Sequence, residues 1–123
     1  MEKLVKHNND MIQTLRLDGL KGERLHRSQY EAWSLFILSA VGTEEDLTLN
    51  DLLELAHQKF SGATGNQIGW SILQVKRDLE ARGLIVVTAA PAQKHTFFIK
   101  LTRQGITKIN YEMQRSEWSE IYP

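Results

Sequence analysis

Between Asn66 and Arg77 the chain sets out side chains suited to reading a hydrogen-bonding surface. Asn66, Gln67 and Gln74 carry carboxamides, Ser71 a hydroxyl and Arg77 a guanidinium. A carboxamide donates and accepts at once, which matches the edge that adenine presents in a duplex groove. Ser71 can reach a phosphate or a base edge, and Arg77, one turn on, is placed to neutralise a phosphate. Trp70 stands among them; packing of its ring under a neighbouring loop is expected ahead of contact with a thymine methyl or a sugar. Further on, Lys94, His95 and Lys100 offer groups for the minor groove or the backbone. The plain alternative for Gln67, Ser71 and Gln74 is a solvated helix face.

Catalytic chemistry has no comparable set. His7, His26, His57 and His95 fall in different segments with no close metal-binding spacing, and Glu44-Glu45-Asp46 sits in a loop beside a helix start, where carboxylates are ordinarily solvated. Ser61 to Asn66 contains glycines but lacks the lysine and spacing of a phosphate-cradling loop. Cysteine is absent, which excludes disulfides, thiolate zinc sites and thiol nucleophiles and fits a cytoplasmic chain. No enzyme, metal or cofactor is expected. No stretch approaches the roughly 18 apolar residues of a membrane span, and no arginine-rich or apolar leader opens the chain.

The positioning elements follow from periodicity. Ile68, Ile72, Val75 and Leu79 recur at helical spacing and commit one face to a core, leaving Gln67, Trp70, Ser71, Gln74, Arg77 and Asp78 to face elsewhere. Gly83 is expected to end that helix in a left-handed cap. Leu84 to Thr88 and Thr96 to Leu101 are β-branched and aromatic runs, joined by a loop whose Pro91 lies beyond the paired region. Upstream, Arg27 to Val41 is apolar over so much of its circumference that it is expected to be the central helix, capped by Ser28 and ended by Gly42. Leu47 to Leu49 predicts a short strand, and Asn50 a cap for a helix through Phe60. The spacing yields helix, strand, helix, turn, helix and a two-stranded ribbon, with Thr102 capping a last helix.

That order resembles the winged helix-turn-helix superfamily, mainly α with a small β-wing and additional helices at both ends. Val75 to Ile85 resembles the end of the recognition helix in MarR-like and PadR-like bacterial regulators, and Leu101-Thr102-Arg103-Gln104-Gly105 resembles their exit from the wing. The similarity spans roughly residues 28 to 112. It implies a winged domain over 28–101, an N-terminal helical extension over 1–27 and a C-terminal helix over 102–123. It also implies that terminal helices carry a two-fold interface, with Leu4, Met11 and Leu15 on one and Ile106, Ile109, Met113 and Trp118 on the other. Folding back onto their own domain is the alternative. A small-molecule effector is open, and Tyr30, Trp33 and Phe36 could line its pocket or simply pack in the core.

Formal net charge is zero, but its distribution is uneven. Residues 28–60 sum to −5 and residues 61–101 to +3, so the proposed reading helix and wing are the most basic part. The expectation is a homodimeric regulator of transcription, a repressor by preference, that binds double-stranded DNA with its third helix in the major groove. Against it stands a winged-helix module that docks a protein and does not touch DNA.

Overall fold

The computed structural model describes residues 10–60 and 65–121, with side chains described for 10–60 and 67–114. Strands β1 (Met11–Leu15) and β2 (Lys21–His26) form an antiparallel hairpin that runs directly into helix α1 (Arg27–Thr43). Helices α2 (Leu49–Lys59) and α3 (Gly65–Ala81) follow, then strands β3 (Ile85–Ala89) and β4 (Phe97–Leu101), then helix α4 (Arg103–Ile121). The fold is α+β, with four helices and two separate two-stranded antiparallel sheets among the described residues.

Helix α1 is central as expected, packing against α3, α4, β4 and the N-terminal hairpin. Its Ile37, Leu38 and Val41 join Leu52 and Ala56 of α2, Ile68, Ile72, Val75 and Leu79 of α3, and Ile85 and Ile99 of the second sheet in one core. Four residues of α3 spaced four, three and four apart are thus all buried, as helical periodicity requires.

The end of α3 shows why the ribbon begins where it does. Gly83 adopts φ +77, the Leu84 amide donates to the Leu79 carbonyl and the Gly83 amide to the Glu80 carbonyl, the two bonds of a Schellman termination. The chain leaves at once into β3, which pairs in register from Ile85 opposite Leu101 to Ala89 opposite Phe97. Thr102 then joins both ends of the motif: its hydroxyl donates to the Gly83 carbonyl at 2.6 Å and accepts from the Gly105 amide at 3.0 Å, capping α4. A Cβ on Gly105 would collide with the Leu84 carbonyl, so the last helix crosses the start of the ribbon at a distance only glycine allows.

Several local expectations are corrected. The described part of the N-terminal segment is a hairpin and not a helix. Its strand Met11–Leu15 has apolar spacing compatible with a helix, but Asp18 and Gly19, at φ +84, turn the chain back into a polar partner strand that hydrophobic pattern does not reveal. Ser28 does not cap α1, because β2 enters the helix without a loop; the cap position is His26, and the Arg27 amide donates to the Asp10 carbonyl at 2.6 Å. Gly42 lies inside α1, which continues to Thr43. Asn50 is likewise inside its helix: Thr48 is the cap, exchanging reciprocal bonds with Asp51. Leu47 to Leu49 yields a single bridge, Leu47 to Ile99, in place of a strand.

Candidate functional site

The side of α3 turned away from its core carries Trp70 and Arg77, both exposed, with Gln67 exposed beside them. Trp70 is 45% exposed, so among the described residues its ring is not packed under a loop, contrary to expectation. The reason is angular: Trp70 lies two residues from Ile72, roughly 200° around the helix, on the side opposite the core of the described residues. Ser71 and Gln74 are half-buried. Asn66 lies in α3, with its side chain outside the described residues.

The ribbon leads directly from this helix. Its loop closes with the Ala90 amide donating to the Thr96 carbonyl at 2.9 Å, and Pro91 lies beyond that bond. Lys94 and His95 are exposed there, with His95 held in the left-handed region at φ +61. Lys100 differs. It pairs with Asp46 at 3.1 Å, Asp46 itself being left-handed at φ +52, and its ammonium lies 5.5 Å from the Phe98 ring centre.

The same holds for much of the basic segment. Lys76 pairs with Glu80 and Arg82 with Asp78, leaving Arg77 and Lys94 as its cations without an ion pair among the described residues. The +3 read from the sequence is therefore largely committed within the chain.

Asp78 is the residue that sequence reasoning misplaced. Grouped with the outward polar side, it is completely buried. Its Oδ1 accepts from the Leu15 amide at 2.9 Å, and its Oδ2 accepts from the Tyr30 hydroxyl and from Arg82 Nε at 2.8 Å. Arg82 also reaches the Gln13 carbonyl at 3.3 Å. Burial, and then the bond to Asp78, pushes the Tyr30 phenol far above its ordinary range. The Arg82 guanidinium is likewise pushed up, first through its bond to Asp78. Polar periodicity cannot separate a carboxylate facing water from one facing a second layer of the protein. The i,i+4 pair of Asp78 and Arg82 was the available signal.

Of the residues assigned to a dimer interface, Met11 and Leu15 are half-buried in β1, which packs on α3 and α1. Ile109 is buried in its own core, while Ile106 and Met113 are about half exposed, at 48% and 54%. Ile106, Ile109 and Met113 lie on one side of α4 by their spacings of three and four, and Ile109 on that side is covered by the core while its two neighbours are half exposed. Leu4 lies outside the described residues, as does the side chain of Trp118.

Trp33 and Phe36 pack chiefly in the core, and one side of the Phe36 ring borders a shallow open groove between α1 and α2 with Ala40, Leu55 and Lys59. The two rings form an aromatic cluster with Phe60, with ring centres 4.4 Å apart for Trp33 and Phe60 and 5.4 Å for Phe36 and Phe60. Tyr30 does border an open cleft of about 630 Å³ between β1, α1 and α4, together with Ile12, Arg27, Glu31, Leu35 and Lys108. Among the described residues no group of three or more His, Asp or Glu could hold a metal ion, and no helix is long and apolar enough to cross a membrane.

Neither the curated proteins nor the solved structures provide a match to this sequence. A family profile does match, from Met11 at the start of β1 to His95 in the ribbon loop. That span is more than half of the chain, and the protein therefore belongs to DUF6958, a family of unknown function.

Proposed function

We propose that the protein is a winged helix-turn-helix regulator, similar to MarR-like and PadR-like proteins, that binds double-stranded DNA as a homodimer. In this reading α3 is the recognition helix, the β3–β4 ribbon is the wing and the exposed Ile106 and Met113 of α4 contribute to the two-fold interface. The observation that carries it is the outward side of α3, where Trp70, Arg77 and Gln67 stand exposed while a hairpin leaves directly from its glycine cap. Amide and guanidinium groups on such a face suit base edges and phosphates, and a ring can meet a thymine methyl or sugar. Lys94 and His95 at the exposed wing loop suit the adjacent backbone or minor groove.

A second reading draws on a specific observation. Lys76, Arg82 and Lys100 are each held by a carboxylate of the same chain, which lowers the charge offered to phosphates. That favours a winged-helix module that docks a protein through the acidic surface around Glu44, Glu45 and Glu54, exposed at the end of α1 and on α2.

Retention on a mixed-sequence duplex as salt is raised separates the two. DNA binding requires retention at low salt that falls steeply with salt and falls further for Arg77→Glu and Lys94→Glu. No retention at low salt would leave the protein-docking reading.

A further inference from the structure

The N-terminal hairpin runs alongside α3, on the side of Asp78 next to the face proposed to read DNA. Asp78 holds the Leu15 amide, and one turn further along α3 Arg82 reaches the Gln13 carbonyl, so β1 runs antiparallel to α3. Two strand residues advance about 6.6 Å and four helical residues about 6 Å, so the two elements keep step. Beyond Leu15 this course directs the Arg16 to Leu20 turn toward the part of α3 that precedes Asp78, in the direction of Gln74. Gln74 and Ser71 are half-buried, whereas Trp70 and Arg77 are exposed.

The turn is well held. The Arg16 amide donates to the Leu20 carbonyl at 2.9 Å, the Gly19 amide to the Arg16 carbonyl at 3.0 Å, and the Leu20 amide to Asp18 Oδ1 at 3.0 Å. On it stand Leu17, 66% exposed, and Leu20, 59% exposed. Lys21 and Arg24 on β2 are exposed and have no ion pair among the described residues, while Arg16 pairs with Asp18 at 3.0 Å.

We propose that this hairpin tip is a second duplex-contacting element, with Leu17 and Leu20 set against the sugar walls of the minor groove and Lys21 and Arg24 on flanking phosphates. The proposal rests on the DNA-binding reading of α3. A lone exposed leucine is ordinary surface, but two on a closed turn, edged by unpaired cations and lying along the reading helix, make an apolar wedge with an electrostatic flank.

The test measures binding of the full chain to a mixed-sequence duplex across a salt series. It compares the Leu17→Ser/Leu20→Ser and Lys21→Ala/Arg24→Ala double variants with Arg77→Glu. All four hairpin positions are exposed, so thermal unfolding of the doubles should match that of the unaltered chain. The leucine double should weaken binding about tenfold with the salt slope kept, and the cation double should reduce the slope by about two. Both doubles binding like the unaltered chain, with Arg77→Glu impaired, would overturn the hairpin assignment alone. An unaltered chain that fails to bind the duplex at low salt overturns both the hairpin assignment and the reading beneath it. A leucine double that keeps its DNA affinity but sediments as a smaller species would show that the tip meets a second copy, which also overturns the proposal.

Discussion

The backbone amide of Leu15 donates to the side chain of Asp78, 63 positions further along the chain, at 2.9 Å. A buried carboxylate on α3 thus holds the edge of β1, while Tyr30 of α1 and Arg82 occupy its other oxygen. Three elements meet at one charge. The orientation of the hairpin and of the helix proposed to read DNA is therefore set by the same group.

Replacing that group should be costly. Asp78→Ala leaves the Leu15 amide and the Tyr30 hydroxyl without their acceptor, and we expect unfolding free energy to fall by about 3 kcal/mol. Urea denaturation followed by circular dichroism measures it. Hydrogen exchange should speed up at the Leu15 amide well before it does at Ile72 in the core of α3. A loss below about 1 kcal/mol would show that the hairpin is held by other contacts.

Alkaline pH should act through Tyr30. Its phenol is raised from an ordinary value of 10.0 in the folded protein, so the unfolded chain ionises first. The stabilisation is whole below about pH 10 and is lost as pH rises beyond it, because the unfolded state then releases a proton that the folded state keeps. Urea unfolding from about pH 8 to pH 11 should show a decline that is shallower in Tyr30→Phe. Parallel declines in the two proteins would remove Tyr30 as the cause.

Two glycines should respond in opposite senses. Gly105→Ala drives a methyl into the Leu84 carbonyl and should cost about 2 to 3 kcal/mol. Gly69→Ala, within α3 and with nothing among the described residues within 4 Å of the added carbon, should gain about 0.5 to 1 kcal/mol through helix propensity. Thermal unfolding of both variants provides the check, and equal effects would contradict the crossing of α4 over the ribbon.

Asp46→Asn separates charge from conformation, since asparagine tolerates the left-handed backbone of that position. The lost partner of Lys100 is exposed, so stability should hardly move. Under the DNA-binding reading, the released ammonium should strengthen duplex binding and steepen its salt slope by about one. An unchanged slope would mean that Lys100 does not face phosphate.

Much of the fold was legible locally. The core face of α3 follows from four apolar positions, its end from Gly83 and the ribbon from two β-branched and aromatic runs, and Thr102 caps α4 as its hydroxyl suggested. These features are set by neighbours within one or two turns, which is the range that periodicity and capping chemistry report. The departures sit where short-range signals compete: Thr48 displaced Asn50 as a cap by virtue of Asp51, and β2 entered α1 without leaving room for Ser28 to act.

What the amino-acid order determined on its own is the succession of helices and ribbon from α1 onward, the apolar faces that must be buried and the polar groups spread along α3. Tertiary structure alone decided which of those polar groups meet water. Trp70 is left outside because no layer among the described residues covers its side of the helix, and Asp78 is drawn inside because β1 brings a backbone amide to it. Lys100 is engaged because a left-handed Asp46 on another loop stands opposite. Each outcome depends on what distant parts of the chain bring, or fail to bring, to the residue, and a one-dimensional pattern of polar and apolar residues does not encode that.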